Sequence, residues 1–220
     1  MDWNSIVLSF RLATVTTMVL LALCIPLALW FSKHRSRTKT TLEALCSLPL
    51  ILPPTVMGFY LLLVMSPKAP IGRIWSNLFG QDLVFSFNGL VLGSVICSFP
   101  FVLKPIQNAF ERVNKKYIEM AATLGYSPRA IFWRIHLPLS FSAILSAAVL
   151  GFAHTLSEFG VVLMLGGNIP GKTRTVSIAI YDAVEGSNYL EAHRLSLLML
   201  GLSFFILCLV YREYAGGPKR

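Results

Sequence analysis

Apolar residues run almost without interruption through five stretches of the chain, about 6–31, 45–65, 87–110, 139–165 and 195–211, with polar residues collected between them. A hydrocarbon core needs about 20 helical residues to cross it, so each stretch is long enough, or nearly so, for one transmembrane helix. The first is expected to persist as a helix and not to be a cleaved signal: no basic segment precedes it, its apolar run is too long, and the basic cluster follows it. Proline interrupts two of the runs, Pro49, Pro53 and Pro54 in the second and Pro100 and Pro105 in the third. Each removes a helix hydrogen bond and bends the axis, which fits either helices bent around a cavity or simple packing kinks.

One polar stretch between the third and fourth runs, EMAATLGYSPRAIFWRIHLPLS (Glu119 to Ser140), is too polar to span and too helix-prone for a slack linker. Good helix formers accumulate from Asn114 to Leu124, and Gly125 fits a helix C-terminus. Ser127-Pro128 fits an N-cap followed by proline in the first turn. A second short helix is expected from Pro128 through Ile135, stopping before Leu137-Pro138. The product is helix, turn, helix on the membrane face over about 111–138, with the small Ala121, Ala122 and Gly125 on view for a partner.

Composition sharpens this picture. Of 220 residues, 55% are hydrophobic and 13% charged, with a mean hydropathy of +0.67, far more apolar than a soluble domain. The net charge of +9 has a topological distribution. Lys33, Arg35, Arg37 and Lys39 follow the first run, Lys104, Arg112, Lys115, Lys116, Arg129 and Arg134 lie between the third and fourth, and Arg212, Lys219 and Arg220 end the chain. Only Arg11, Lys68, Arg73, Lys172, Arg174 and Arg194 fall on the opposite side. Basic loops stay cytoplasmic, so the N-terminus is expected outside and the C-terminus inside, and the charge is no nucleic-acid footprint. The KHRSRTK segment is read as retention and solvation in preference to a specific anionic-lipid site.

GGNIPGKT, Gly166 to Thr173, satisfies the G-x-x-x-x-G-K-[ST] pattern of a phosphate loop. That pattern needs a preceding strand, a following helix and an acidic residue to hold Mg²⁺, and the topology puts it in an outer loop (about 166–194) after a transmembrane helix. Turn chemistry explains its Gly, Asn and Pro. Cys24, Cys46, Cys97 and Cys208 are scattered singly and show neither metal nor redox spacing.

The polar loop also carries a resemblance. Glu119, Met120 and Ala121, three residues, Gly125, nine residues, then Ile135, His136, Leu137 and Pro138 resemble the E-A-A-x₃-G-x₉-I-x-L-P loop of the membrane subunits of ATP-binding-cassette importers, with Met120 in place of the first alanine. LPLILPPTVMGFYLLL (Leu48 to Leu63), SEFG (Ser157 to Gly160) and NIPGKTRTVSIAIYDAVE (Asn168 to Glu185) are similar to the molybdate permeases of that family. The resemblance implies an all-α permease of the type I importer fold in a bacterial or archaeal inner membrane. It also implies a second copy of the permease, two cytoplasmic ATPase subunits that hold ATP and Mg²⁺, and a periplasmic molybdate-binding protein. This chain would itself carry no cofactor, metal or catalytic residue. Its loop residues Glu119, Met120, Ala121, Gly125, Ile135, Leu137 and Pro138 would couple it to the ATPase.

A conduit for a tetrahedral dianion needs hydrogen-bond donors and few carboxylates. Thr55, Ser98, Ser140, Ser142, Ser146, Thr155 and Ser157 are candidate lining, although such residues often bond to their own helix. Glu158, one turn after His154, is a candidate gate, with Arg11 or Arg174 to neutralise it. Asn168, Lys172 and Arg174 form an outer-loop feature for steering the ion or meeting the binding protein. Tungstate or sulfate fits the same machine. A secondary transporter or channel is the rival class, but no inverted repeat supports it.

Overall fold

The computed structural model describes residues 2–33 and 37–215, with side chains through residue 208. Arg35, Lys219 and Arg220 lie outside the described residues. All regular structure in the described chain is helical.

α1 (Trp3–Lys33) runs unbroken through Pro26. α2 (Arg37–Ser47) is short, polar and without buried residues. It passes through the 3₁₀ turn Leu48–Leu50 into α3 (Pro54–Met65), and the two limbs meet at 110°. The second apolar run is therefore split into two sharply angled helical limbs. Neither Pro53 nor Pro54 has an N–H to continue the first limb. α4 (Pro70–Phe79) stops on Gly80, whose φ of 67° is the left-handed conformation that ends helices.

α5 (Phe87–Arg112) begins where Ser86 Oγ accepts the Gly89 N–H at 3.2 Å. It stays one helix through Pro100 and Pro105, so proline alone does not decide a break. α6 (Lys115–Thr123), α7 (Pro128–Ile131), a π-helical turn Phe132–His136 and α8 (Leu137–Leu139) make up the polar loop. The second loop helix thus does not stop at Ile135: it widens into the π turn just before Pro138, which has no N–H to donate, and continues.

The fourth apolar run is interrupted twice. Pro128–Leu139 meets α9 (Phe141–Ser157) at 70°, and α9 ends at Glu158 and Phe159 before the short α10 (Gly160–Gly166). α11 (Val176–Glu185) and α12 (Tyr189–Ala215) complete the chain. Among the described residues three helices are each long and apolar enough to span a membrane, and the two bent pairs, if each is one span, raise the number to five.

α1, α5 and α9 form the centre, where Leu12, Leu20, Leu90, Val102, Leu103 and Ile106 are all at most 1% exposed. Leu197, Leu200, Phe204 and Phe205 of α12 are exposed, as befits a lipid-facing surface. Between lipid-embedded helices the hydrophobic effect contributes little, and close contact of small residues drives association. The α3–α10 pair follows this rule. A Cβ on Gly58 would lie 2.9 Å from Met164 Cβ and 3.2 Å from Val161 Cα, and one on Gly160 would lie 2.9 Å from Pro54 Cβ.

This contact predicts that Gly58→Leu overpacks the pair and lowers stability by about 1–3 kcal/mol. Gly201→Ala in α12, where an added Cβ meets nothing within 4 Å, should leave stability unchanged or slightly raised. Thermal unfolding of the two detergent-purified variants checks this, and equal melting temperatures would contradict the packing.

Candidate functional site

The break at Pro53-Pro54 and the break at Glu158-Phe159 face one another. Between them lies a cleft of about 410 Å³ lined by Pro54, Thr55, His154, Ser157, Glu158, Phe159 and Gly160. Three residues expected to line a pathway, Thr55, Ser157 and Glu158, are thus brought together. Thr55 starts α3, Ser157 ends α9, and Gly160 on Pro54 closes the distance between the two breaks.

Ser98, the fourth, stands one layer behind. It is fully buried on α5, with its Oγ 2.9 Å from His154 Nδ1 and 3.0 Å from Thr155 Oγ1. The His154 ring also stacks on Phe101 with centroids 4.0 Å apart. Hydrogen bond and stacking together fix the imidazole in the cleft wall. Its organising position was not read from the sequence, although an ionisable residue in a membrane helix is itself a flag. Of the other candidates, Ser146 donates to its own helix at Ser142 O, and Ser140 is buried.

The expected pairing of Glu158 with Arg11 or Arg174 is not found among the described residues. Glu158 is 8% exposed, and its Oε1 accepts the Val161 N–H at 3.3 Å, capping the start of α10. Arg11 lies over the Phe87 ring at 4.6 Å. Arg174 Nε donates to Asn168 Oδ1 at 2.7 Å and its guanidinium pairs with Asp182 at 3.1 Å, while Asn168 Nδ2 donates to the same carboxylate. Asn168 and Arg174 therefore pin the loop to α11, and Lys172 is the exposed cation there.

GGNIPGKT follows a helix and folds on itself. Thr173 Oγ1 donates to Gly166 O at 2.6 Å and accepts the Ile169 N–H at 3.0 Å, while the N–H groups of Lys172, Thr173 and Arg174 turn back to Ile169 O. Gly167 and Gly171 take φ of 66° and 71°, and Asn168 takes 55°. A phosphate loop needs those amides free. Here they are used up, and the hydroxyl that would meet Mg²⁺ is fully buried. Ser9 Oγ accepts the Val176 N–H at 2.8 Å, fixing the segment to the N-terminal part of α1.

The opposite end of the bundle carries the polar loop. Asn114 Oδ1 accepts the Lys116 N–H, Gly125 has φ 80°, and Ser127 Oγ accepts the Ala130 N–H at 3.3 Å. Met120, Leu124, Tyr117 and Trp133 are exposed, as are Glu119, Gly125 and Pro138. Ala121 departs from its expected exposure and is 6% exposed, because the chain folds back so that Tyr126 N–H donates to Ala121 O. An apolar groove of about 380 Å³ between the loop's two limbs includes Met120, Ala121, Ile135 and Pro138. Leu137 is half-buried against the main core.

Bent helix pairs closing on a polar cleft at one site, with an exposed apolar loop at another, fit a polytopic membrane subunit. The sequence over residues 24–212 matches the binding-protein-dependent transport system inner membrane components, and the chain belongs to that family. It is 48% identical to the molybdenum transport system permease protein ModB of Azotobacter vinelandii over 98% of this chain and 96% of that protein. With ModB of Escherichia coli K12 it shares 32% identity over 100% and 95%. In fold it is similar to a solved structure of the MetNI methionine ABC transporter, with TM-score 0.76, 14% identity, and 100% and 97% of the two chains covered. The chain is a membrane permease subunit and not an enzyme, and its all-helical importer fold is as the sequence led one to expect.

The cleft geometry predicts solvent access by depth. In a background with Cys46 and Cys208 replaced by serine, Thr55→Cys and Ser157→Cys should react with a membrane-impermeant thiol reagent, whereas Ser98→Cys should stay unmodified. Equal labelling at all three positions would contradict the layering.

Proposed function

We propose that the chain is the membrane-spanning subunit of an ATP-driven importer for molybdate, and the 48% identity along nearly its whole length to a molybdenum permease carries this reading. Two copies form the pathway. Two cytoplasmic ATPase subunits hold ATP and Mg²⁺, and a periplasmic binding protein delivers the ion. The N-terminus lies outside and the C-terminus inside, in keeping with the inside-basic bias.

In this reading the loop from Lys115 to Leu139 is the coupling element. Its left-handed Gly125 and exposed apolar side chains offer the ATPase a compact knob, and its continuity with the start of α9 carries a displacement toward the cleft. Thr55 offers a hydroxyl donor to the dianion without a cage, so that the ion can leave again, and Ser157, whose Oγ donates to His154 O at 3.1 Å, joins it only by turning its hydroxyl away from its own helix. Glu158, buried where it caps the start of α10, stands across the cleft as part of a gate that opens when α3 and α10 move apart. Alternating access follows from opening the α3–α10 contact on one side at a time.

Transport by the reconstituted complex tests this. With its binding protein, molybdate should drive both uptake and stimulated ATP hydrolysis. Stimulation by sulfate or tungstate alone would reassign the substrate, and uptake independent of ATP would overturn the class. Gly125→Glu adds a charged side chain at positive φ, and it should insert normally but abolish ATP-dependent uptake. Unimpaired transport by this variant would remove the loop's coupling role. Lys172→Ala should leave basal ATP hydrolysis unchanged and reduce uptake modestly, by an amount that shrinks as salt screens the steering field.

A further inference from the structure

At the end of the bundle that carries α6 and α7, a cavity of about 750 Å³ opens between Ser32 and Lys33 of α1, Lys39 of α2, Glu111 of α5, Lys115 of α6 and His136 of the π turn. Neither the cleft residues nor the matched loop residues lie among its described walls, and His136 occupies the unspecified position of the I-x-L-P pattern.

His136 is 2% exposed, yet neither ring nitrogen has a hydrogen-bond partner among the described residues. Its ring meets Phe110 edge-on at 5.7 Å, a contact that fixes the plane and satisfies neither nitrogen. Buried polar groups are nearly always paired, so a partner beyond the described residues is called for. The charge around the cavity indicates its sign. Lys39 is held by Glu111 at 3.3 Å and Glu43 at 3.4 Å. Lys33 and Lys115 are exposed at the rim with no ion pair among the described residues. Positive charge is in excess.

We infer that this cavity binds the phosphodiester of an anionic phospholipid, with Lys33 and Lys115 meeting the phosphate oxygens and His136 donating a ring N–H. Three features favour a lipid over a free oxyanion. The cavity is far larger than a small tetrahedral ion needs, and Phe110 contributes an apolar wall suited to the glycerol backbone. Trp30, one turn before Lys33, is exposed, and tryptophans are enriched at the head-group layer. The polar α2, with no buried residue, lies alongside it. Basic pockets of this kind between membrane helices take lipid head groups, so Lys33 at the end of α1 has a binding role beside its topological one.

Native mass spectrometry of the purified permease–ATPase complex, in micelles doped with phosphatidylglycerol or with zwitterionic phosphatidylcholine, tests the assignment. One phosphatidylglycerol per permease should be retained and phosphatidylcholine should not. Loss of a charge-assisted contact weakens binding by about tenfold or more, so retention should fall by that factor in Lys33→Ala/Lys115→Ala and in His136→Phe. Arg73→Ala, whose guanidinium donates to Lys68 O on another part of the chain, should match the parent. The lysine double variant alters only exposed side chains and keeps the test valid if His136→Phe does not fold. Equal retention in parent and lysine variant, equal retention of the two lipids, or displacement of phosphatidylglycerol by millimolar inorganic phosphate would each overturn the lipid site.

Discussion

A backbone that leaves its helix inside a bilayer must have its freed N–H and C=O groups covered by protein or by water, because hydrocarbon offers no partner. Much of this structure follows from that constraint. The chain breaks at Pro53-Pro54 and again at Glu158-Phe159, and both breaks are brought to one cleft against α5 and α9. Glu158 covers the Val161 N–H with its carboxylate, and Ser177 Oγ donates to Glu158 O at 2.9 Å. Close approach at Gly58 and Gly160 seals α3 against α10 and keeps lipid away from the exposed backbone. The polar cleft is the place where irregular backbone becomes tolerable in a membrane, and this makes it usable as a pathway.

The fold class was legible because its signal is additive. Long apolar runs do not depend on tertiary detail, and the family and all-helical fold read from them and from the loop motif are borne out. What the runs did not convey was where helices bend. Two prolines in α5 leave it continuous, two adjacent prolines break the second run at 110°, and the fourth run breaks at Glu158-Phe159 without any proline. Whether a lost hydrogen bond kinks a helix depends on what neighbouring helices supply, and that information is spread over the whole sequence.

Local chemistry was legible at the loop. Ser127 and Asn114 cap helices, and Gly125 adopts positive φ, since these outcomes depend on a few adjacent residues. Long-range partnerships were not. Arg174 was a reasonable match for Glu158 by charge and depth, but Asp182, nearly two turns into α11, holds it instead. Ser98 was singled out for its hydroxyl, and only the packing of α5 on α9 shows that it positions His154. GGNIPGKT shows the converse: the letters of a phosphate loop, placed after a helix, close into a turn whose amides point inward.

α5 has a mechanical consequence. At 1.5 Å per residue its 26 residues make a strut of about 39 Å, with Ser98 near its middle and Gln107 near its end bonded to Glu111 and to Glu43 of α2. Pro100 and Pro105 remove two of the amide donors in this stretch, and the full burial of Val102, Leu103 and Ile106 in the core holds the helix continuous across the gap. Between the residue that seats His154 and the residue that grips α2, the strut depends on packing as well as on its own hydrogen bonds. α5 therefore links the cleft wall to α2 as one piece only while its neighbours stay packed on it.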